Sequence, residues 1–278
     1  MTFSEAVTQA ATQLSSVSDC AKLDAQLLLC YVCNIEQTTI IAHPNRPLNE
    51  QQQVQFKLAI RRRSHGEPLA YITGCKEFWS LNLIVNKHVL IPRPETELLV
   101  ELTLKNIANI TSPQILDLGT GSGAIAVSIA KERKDCLITA SDNSNQTLEV
   151  ANKNATQFDV NISFIHSDWY ESIPAQKFDV IISNPPYIAK NDPNLDHYVM
   201  EFEPTEALIS ADHGLEDIQK IISGANHYLS NKGYLFIEHG FQQHEEVRQL
   251  FKQHSFEKIT THKDLAGKNR VTSGTMNI

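Results

Sequence analysis

The chain has 278 residues, 41% of them hydrophobic, and a formal net charge of −8. That length and apolar content allow one large domain or two smaller ones and exclude a disordered chain. Residues 1–73 balance six Lys/Arg against six Asp/Glu, so the −8 falls on the remainder, an acidic part that argues against nucleic acid as its main partner.

No apolar run approaches the roughly 20 residues that span a bilayer, and Met1-Thr2-Phe3-Ser4-Glu5 lacks the basic start of a signal peptide. Five cysteines without framework spacing fit a reducing compartment. A soluble, cytoplasmic protein without a membrane partner is expected. Cys30 and Cys33 sit in an apolar stretch with no second pair to complete a zinc site, and they read as buried core thiols.

Residues 1–73 read as a helical domain. Asp24 is placed to cap a helix carrying Leu27, Leu28 and Tyr31, and Asn49 to cap the next, with Val54, Phe56, Leu58 and Ile60. Arg61-Arg62-Arg63 closes that helix and reads as a solvated end that suits the helix dipole, with contact to a charged partner such as RNA as the alternative. Residues 74–91 combine β-forming residues with near alternation over 78–85 and then Val89-Leu90-Ile91, a hairpin linking two domains. Pro92-Arg93-Pro94-Glu95-Thr96-Glu97 reads as a loop, with a helix from Leu98.

Over 92–278 strands and helices alternate. Strands are predicted at 115–118, 137–141, 162–166, 180–183, 234–238, 257–261 and 270–276, with helices between the first five. The pattern gives an α/β domain around a mainly parallel, doubly wound Rossmann-like sheet.

Four motifs follow the carboxyl ends of predicted strands, where open α/β sheets bind ligands. The first is Asp117-Leu118-Gly119-Thr120-Gly121-Ser122-Gly123, a strand running through a glycine turn into a helix. Alone it leaves an NAD-binding dehydrogenase open. Its G-x-G-x-G spacing and the acid before it suit a cationic ligand such as S-adenosylmethionine. The second is Asp142, whose carboxylate can accept from ribose hydroxyls. The third is Asp168-Trp169, an acceptor for an amino group beside an indole that can pack on a base.

The fourth is Asn184-Pro185-Pro186-Tyr187. Two prolines fix the loop and remove two backbone donors. Carbonyl oxygens and the Asn184 amide oxygen can then accept from an NH2 group, with Tyr187 packing on what carries it. Glu238-His239-Gly240 ends the fifth strand, where Glu238 reads equally as a pocket residue or a salt-bridged terminus. His239 has no orienting partner in the sequence that would make it a catalytic base.

Together these residues resemble the class I S-adenosylmethionine-dependent methyltransferases, and the whole chain resembles the PrmC/HemK family of protein-(glutamine) methyltransferases. The resemblance is carried by Arg61-Arg62-Arg63, Gly66-Glu67-Pro68, Tyr71-Ile72-Thr73-Gly74, Glu77-Phe78-Trp79 and the 91–97 loop. It continues through 117–123, Asp168-Trp169, 183–188, Phe202-Glu203-Pro204 and the stretch from Asp264 to Arg270. It implies a seven-stranded methyltransferase domain at 92–278, a substrate-recognition domain at 1–73 and a hairpin at 74–91. It also implies methylation of the glutamine amide in the Gly-Gly-Gln motif of peptide chain release factors, supporting translation termination.

By position, Gly119, Thr120, Gly121, Ser122, Gly123 and Asp142 would hold the methionine and ribose parts of S-adenosylmethionine, and Asp168 and Trp169 the adenine. Asn184, which also counts among the cofactor-binding residues, and Pro185 would accept from the substrate amide, Tyr187 would pack on the glutamine side chain, and Pro186 completes the substrate loop. The release factor is the implied partner, with no direct nucleic acid contact. An adenine-specific DNA or RNA methyltransferase, which uses a similar loop on a flipped base, is the alternative. A non-catalytic protein of the same fold would carry damaged motifs, and these are intact.

Overall fold

The computed structural model describes residues 1–190 and 197–277. They form two compact units: Met1–Cys75 with His197–Phe202, and the remaining described residues.

In the first unit helices Phe3–Leu14, Ala21–Cys33 and Glu50–Ser64 bury Phe3, Leu14, Leu28, Leu29, Phe56 and Ile60. Thr2 with Glu5 and Asn49 with Gln52 form capping boxes, so the predicted Asn49 cap is present. Asp24 is not a cap. The helix starts at Ala21, and the Asp24 carboxylate instead takes the Arg63 Nε at 2.8 Å. Arg63 also donates to the Val17 carbonyl, and Arg62 donates to Glu67 at 2.7 Å. The arginine run is therefore only partly a solvated end: Arg61 and Arg62 are exposed, but Arg62 is paired with Glu67 and Arg63 with Asp24. Cys30 and Cys33 are half-buried against this core, and burial raises both thiol pKa values.

The hairpin Cys75–Phe78 and Leu81–Ile84, whose first residue closes the first unit, is turned by Trp79 and Ser80 at φ 52° and 58°. Positive φ at both turn residues matches the right-handed strand twist. Residues 89–91, predicted as part of the hairpin, form no strand.

A seven-stranded sheet follows: β1 Gln114–Leu118, β2 Leu137–Asp142, β3 Ile162–His166, β4 Phe178–Ser183, β5 Leu229–Glu238, β6 Glu257–Lys263 and β7 Asn269–Thr275. Every predicted strand is present. The order is β6-β7-β5-β4-β1-β2-β3, parallel except for β7 against both neighbours.

Helices cover both faces, so the central strands bury apolar residues on both. Ile115, Val180, Ile182 and Phe236 pack to one side with Leu99, Ile125 and Val127. Leu116, Ile181, Leu235 and Ile237 pack to the other with Ile218, Val247 and Phe251. The predicted helix between β3 and β4 is absent, and residues 167–177 run as turns. Tyr170 anchors this segment by stacking on Tyr228 at 4.8 Å between centroids, which buries it without a helix. The sheet order reverses between β1 and β4, so a crevice opens at their carboxyl ends. No helix among the described residues is long and apolar enough to cross a membrane.

Candidate active site

At the end of β1 the chain turns through Gly119, Gly121 and Gly123, with φ of 70°, 58° and 80°. These left-handed values favour glycine. At Gly119 an added Cβ would also lie 3.4 Å from the Trp169 ring, whereas at Gly121 it would meet nothing within 4 Å. Backbone is therefore open to close approach at Gly121. The turn is pinned to β2, where the Thr120 N–H donates to the Ser141 carbonyl at 2.9 Å. Helix Ala124–Glu132 starts directly after it.

Two carboxylates underlie the turn. Asp142 accepts from the Gly121 N–H at 3.0 Å and from the Ser144 N–H at 3.1 Å, one donor on each oxygen. Burial raises its pKa. Asp117 is fully buried, and its Oδ2 accepts from the Thr120 hydroxyl at 2.7 Å. Its Oδ1 has no partner among the described residues. Burial, with Asp142 nearby, pushes its pKa up to about 7.

Beyond β3, Asp168 is exposed and Trp169 half-buried with φ 43°. The Trp169 indole N–H donates to Asp217 at 3.2 Å, and its carbonyl accepts from the Ser167 hydroxyl at 2.9 Å.

Beyond β4, Asn184 donates its side-chain N–H to the Thr96 hydroxyl at 3.1 Å. The same hydroxyl faces the Glu238 carboxyl closely enough to favour its ionised form. A hydroxyl has one proton to give. In this arrangement Thr96 accepts from Asn184, which leaves the Asn184 Oδ1 for another partner.

Pro185 is buried, and no described residue donates to its carbonyl. Tyr187 is half-buried and donates its hydroxyl to Glu238 Oε1 at 3.3 Å, while its carbonyl accepts from Gln243 Nε2 at 3.0 Å. Burial first, then Glu238, raises the Tyr187 pKa.

These segments enclose a cavity of about 610 Å³. Gly119, Thr120, Gly121, Ser122, Asp142, Asp168, Trp169, Asn184 and Pro186 line it; Gly123, Pro185 and Tyr187 do not. The 91–97 loop contributes Pro92, Arg93 and Thr96, and Pro204, Glu206 and Ala207 form another part of the wall. Buried Glu203 joins those two segments by accepting from Arg93 at 2.6 Å and from the Ile91 N–H at 3.0 Å.

His239 is not a base at this site. It is fully buried away from the cavity, with Nε2 2.8 Å from the Thr272 hydroxyl and Nδ1 2.9 Å from the Gly240 carbonyl. Burial lowers its pKa to about 4, so it stays neutral. Glu238, open on sequence grounds, proves to be 1% exposed beneath the 184–187 loop.

Sequence reasoning missed Thr96, Gln243 and Asn154. The fully buried Asn154 donates to the Ser122 and Ile84 carbonyls at 2.8 and 3.0 Å and accepts from the Ile84 N–H at 2.7 Å, joining the glycine turn to the hairpin. Its signal was an amide on the apolar face of a helix, among Val150, Ala151 and Ala155.

Residues 5–74 match the family described as the PrmC N-terminal domain, and residues 94–202 match the family described as the methyltransferase small domain. The chain is 43% identical over 272 residues to the release factor glutamine methyltransferase of Coxiella burnetii, covering 98% of each chain. It is 42% identical over 275 residues to that of Salmonella typhimurium, covering 99% of each. A methyltransferase from Pyrococcus furiosus shares the fold, with a TM-score of 0.55 and 17% identity over 78% of this chain and 98% of that one. With relatives this similar along nearly its whole length, the chain belongs to the release factor glutamine methyltransferase family.

Proposed function

We propose that this protein, acting in the cytoplasm, transfers a methyl group from S-adenosylmethionine to the side-chain amide nitrogen of the glutamine in the Gly-Gly-Gln motif of peptide chain release factors. The observation that carries the reading is the Asn184 side chain, which lines the cavity beside the glycine turn and is turned by Thr96 to offer its oxygen. The names borne by the full-length relatives support the substrate.

The residues present fit S-adenosylmethionine. The cavity volume lies within the range of about 300–1,000 Å³ usual for small-molecule sites. Gly121 leaves room for a ligand against the backbone. Each Asp142 oxygen takes a single protein donor and keeps accepting capacity for ribose hydroxyls. The unpartnered Asp117 oxygen beneath the turn favours a cation above it. Gly119, Thr120, Gly121, Ser122, Gly123 and Asp142 would hold the methionine and ribose parts, and Asp168 and Trp169 the adenine. The bound cofactor supplies a methyl group on a positively charged sulfur.

An amide nitrogen is a weak nucleophile because its lone pair is shared with the carbonyl. The Asn184 Oδ1 and the Pro185 carbonyl accept its two N–H groups, which aims the nitrogen and favours the positive charge that develops on it. Tyr187 packs its ring along the glutamine side chain, and Pro186 stiffens the loop. A carbon–sulfur bond breaks, a carbon–nitrogen bond forms, and the nitrogen releases one proton. The helical unit of residues 1–75 grips the release factor.

The test offers labelled S-adenosylmethionine with a purified release factor, its Gly-Gly-Gln→Gly-Gly-Ala variant and duplex DNA. Label on the intact release factor alone is expected. Label on DNA, or equally on the variant, overturns the glutamine assignment.

A further inference from the structure

Asp217 sits in the first turn of helix Glu216–Gly224, does not line the cavity, and has no part in the reaction described above. Its two oxygens nevertheless serve both halves of the site. Oδ1 accepts from the Trp169 indole N–H at 3.2 Å, and Oδ2 accepts from the Ser210 hydroxyl at 2.6 Å. Ser210 pairs with Ala189, and the neighbouring Leu208 carbonyl accepts from the Ile188 N–H at 3.0 Å. Ile188 directly follows Tyr187. One carboxylate therefore stands between the residue assigned to adenine and the strand that continues the 184–187 loop.

We propose that Asp217 is a positioning residue for methyl transfer, fixing the Trp169 ring for adenine with one oxygen and the exit of the substrate loop with the other. The inference rests on the reading that this site binds S-adenosylmethionine and methylates a side-chain amide.

Trp169 needs an outside hold. Its φ of 43° is unfavourable for a bulky side chain, and such a conformation persists only where neighbours over-determine it. The Ser167 hydroxyl holds the backbone by donating to the Trp169 carbonyl at 2.9 Å. Asp217 holds the other end of the residue. An indole has one N–H to give, so a single acceptor sets the ring's orientation, and a charged acceptor makes the stronger bond.

The helix that carries Asp217 is itself fixed, with Ile218, Ile221 and Ile222 fully buried. It also holds the next residue. The Tyr170 hydroxyl donates to the Ile221 carbonyl at 3.0 Å, and Gly224 admits the Tyr170 ring, from which an added Cβ would stand 2.5 Å. Lys220 lies 3.6 Å from the same Asp217 oxygen, but it is half-exposed and screened by solvent. The two hydrogen bonds, and not that ion pair, carry the positioning.

The test is made in a Trp79→Phe background, which leaves Trp169 as the single tryptophan. Without cofactor, Asp217→Ala should make the Trp169 fluorescence easier to quench with acrylamide. Titration should then show S-adenosylmethionine bound more weakly on the order of tenfold, the worth of one hydrogen bond to a charged group. At saturating cofactor, kcat with a release factor should also fall on the order of fivefold or more. Asp217→Asn keeps an oxygen for Trp169 and offers an NH2 to the Ser210 oxygen, so it should stay within about threefold of the parent in both. Ser210→Ala should lower kcat and leave cofactor affinity alone, and Lys220→Ala should change neither.

Unchanged quenching and cofactor affinity in Asp217→Ala overturn the inference. So does an Asn variant as impaired as the Ala variant, or full kcat in both Asp217→Ala and Ser210→Ala. Should Asp217→Ala not fold, Ser210→Ala decides alone: full kcat overturns the inference, and a loss confined to kcat supports it. A parent protein that binds no S-adenosylmethionine, or methylates no release factor, overturns the reading beneath and this inference with it.

Discussion

The Asn184 amide meets the Thr96 hydroxyl at 3.1 Å across 88 positions of sequence. One residue leaves β4 in a rigid loop, and the other precedes helix Glu97–Asn106. Their contact ties the substrate loop to the segment before that helix, a cross-link that prolines alone would not supply.

Asn184→Ala removes that acceptor without touching the glycine turn. Turnover should fall by about 10²–10³-fold, the usual cost of losing one transition-state hydrogen-bond partner. Cofactor affinity should stay within a few-fold, read by titration calorimetry beside the methylation assay. Full activity would remove Asn184 from its assigned role.

Asp117→Asn should stabilise the protein at high pH. The folded pKa of Asp117 is raised from 3.8 to about 7, so its contribution to stability is fully present below the unfolded value and is lost as pH rises through 7. The stability difference between Asp117→Asn and the parent chain should widen by about 2–3 kcal/mol in the variant's favour from pH 5 to pH 8. Urea unfolding at both pH values reads it. A gap that narrows with pH would contradict the burial argument.

Asn154→Ala leaves the Ser122 carbonyl and both Ile84 backbone groups without their buried partner. A loss of about 2–4 kcal/mol is expected, seen as a lower urea midpoint with an unchanged slope. Because Ser122 lies in the cavity wall, cofactor affinity should weaken as well.

Gly214→Ala should impair turnover through Tyr187. Gly214 has φ 86°, and an added Cβ would stand 2.2 Å from the Tyr187 carbonyl oxygen and 2.8 Å from Gln243 Nε2. The 184–187 loop would have to shift, with a loss on the order of tenfold or more. Gly267→Ala is the control. Its φ is 75°, but nothing lies within 4 Å, so it should cost about 1 kcal/mol of stability and leave the rate alone.

The parts of the fold legible in the sequence were those written locally. The central strands stood out because burial on both faces demands apolar residues on both. Asn49 could be read as a cap because its partner, Gln52, is three residues away. Asp24 was misread because its partner, Arg63, lies 39 residues away and draws the carboxylate off the helix end. A helix was wrongly expected after β3. Trp169 takes a left-handed turn there, and Tyr170 finds its stacking partner in distant Tyr228.

The sequence by itself determined the chemistry on offer: a glycine turn after an acid, an aspartate after the second strand, and an amide before two prolines. Those depend on nearest neighbours, through φ restriction, missing donors and strand ends. Only the tertiary structure decided that Asn184 meets Thr96, that Glu238 is buried against Tyr187, and that His239 is spent on Thr272 and Gly240. Burial and hydrogen-bond direction depend on atoms brought together across the sheet from distant parts of the chain.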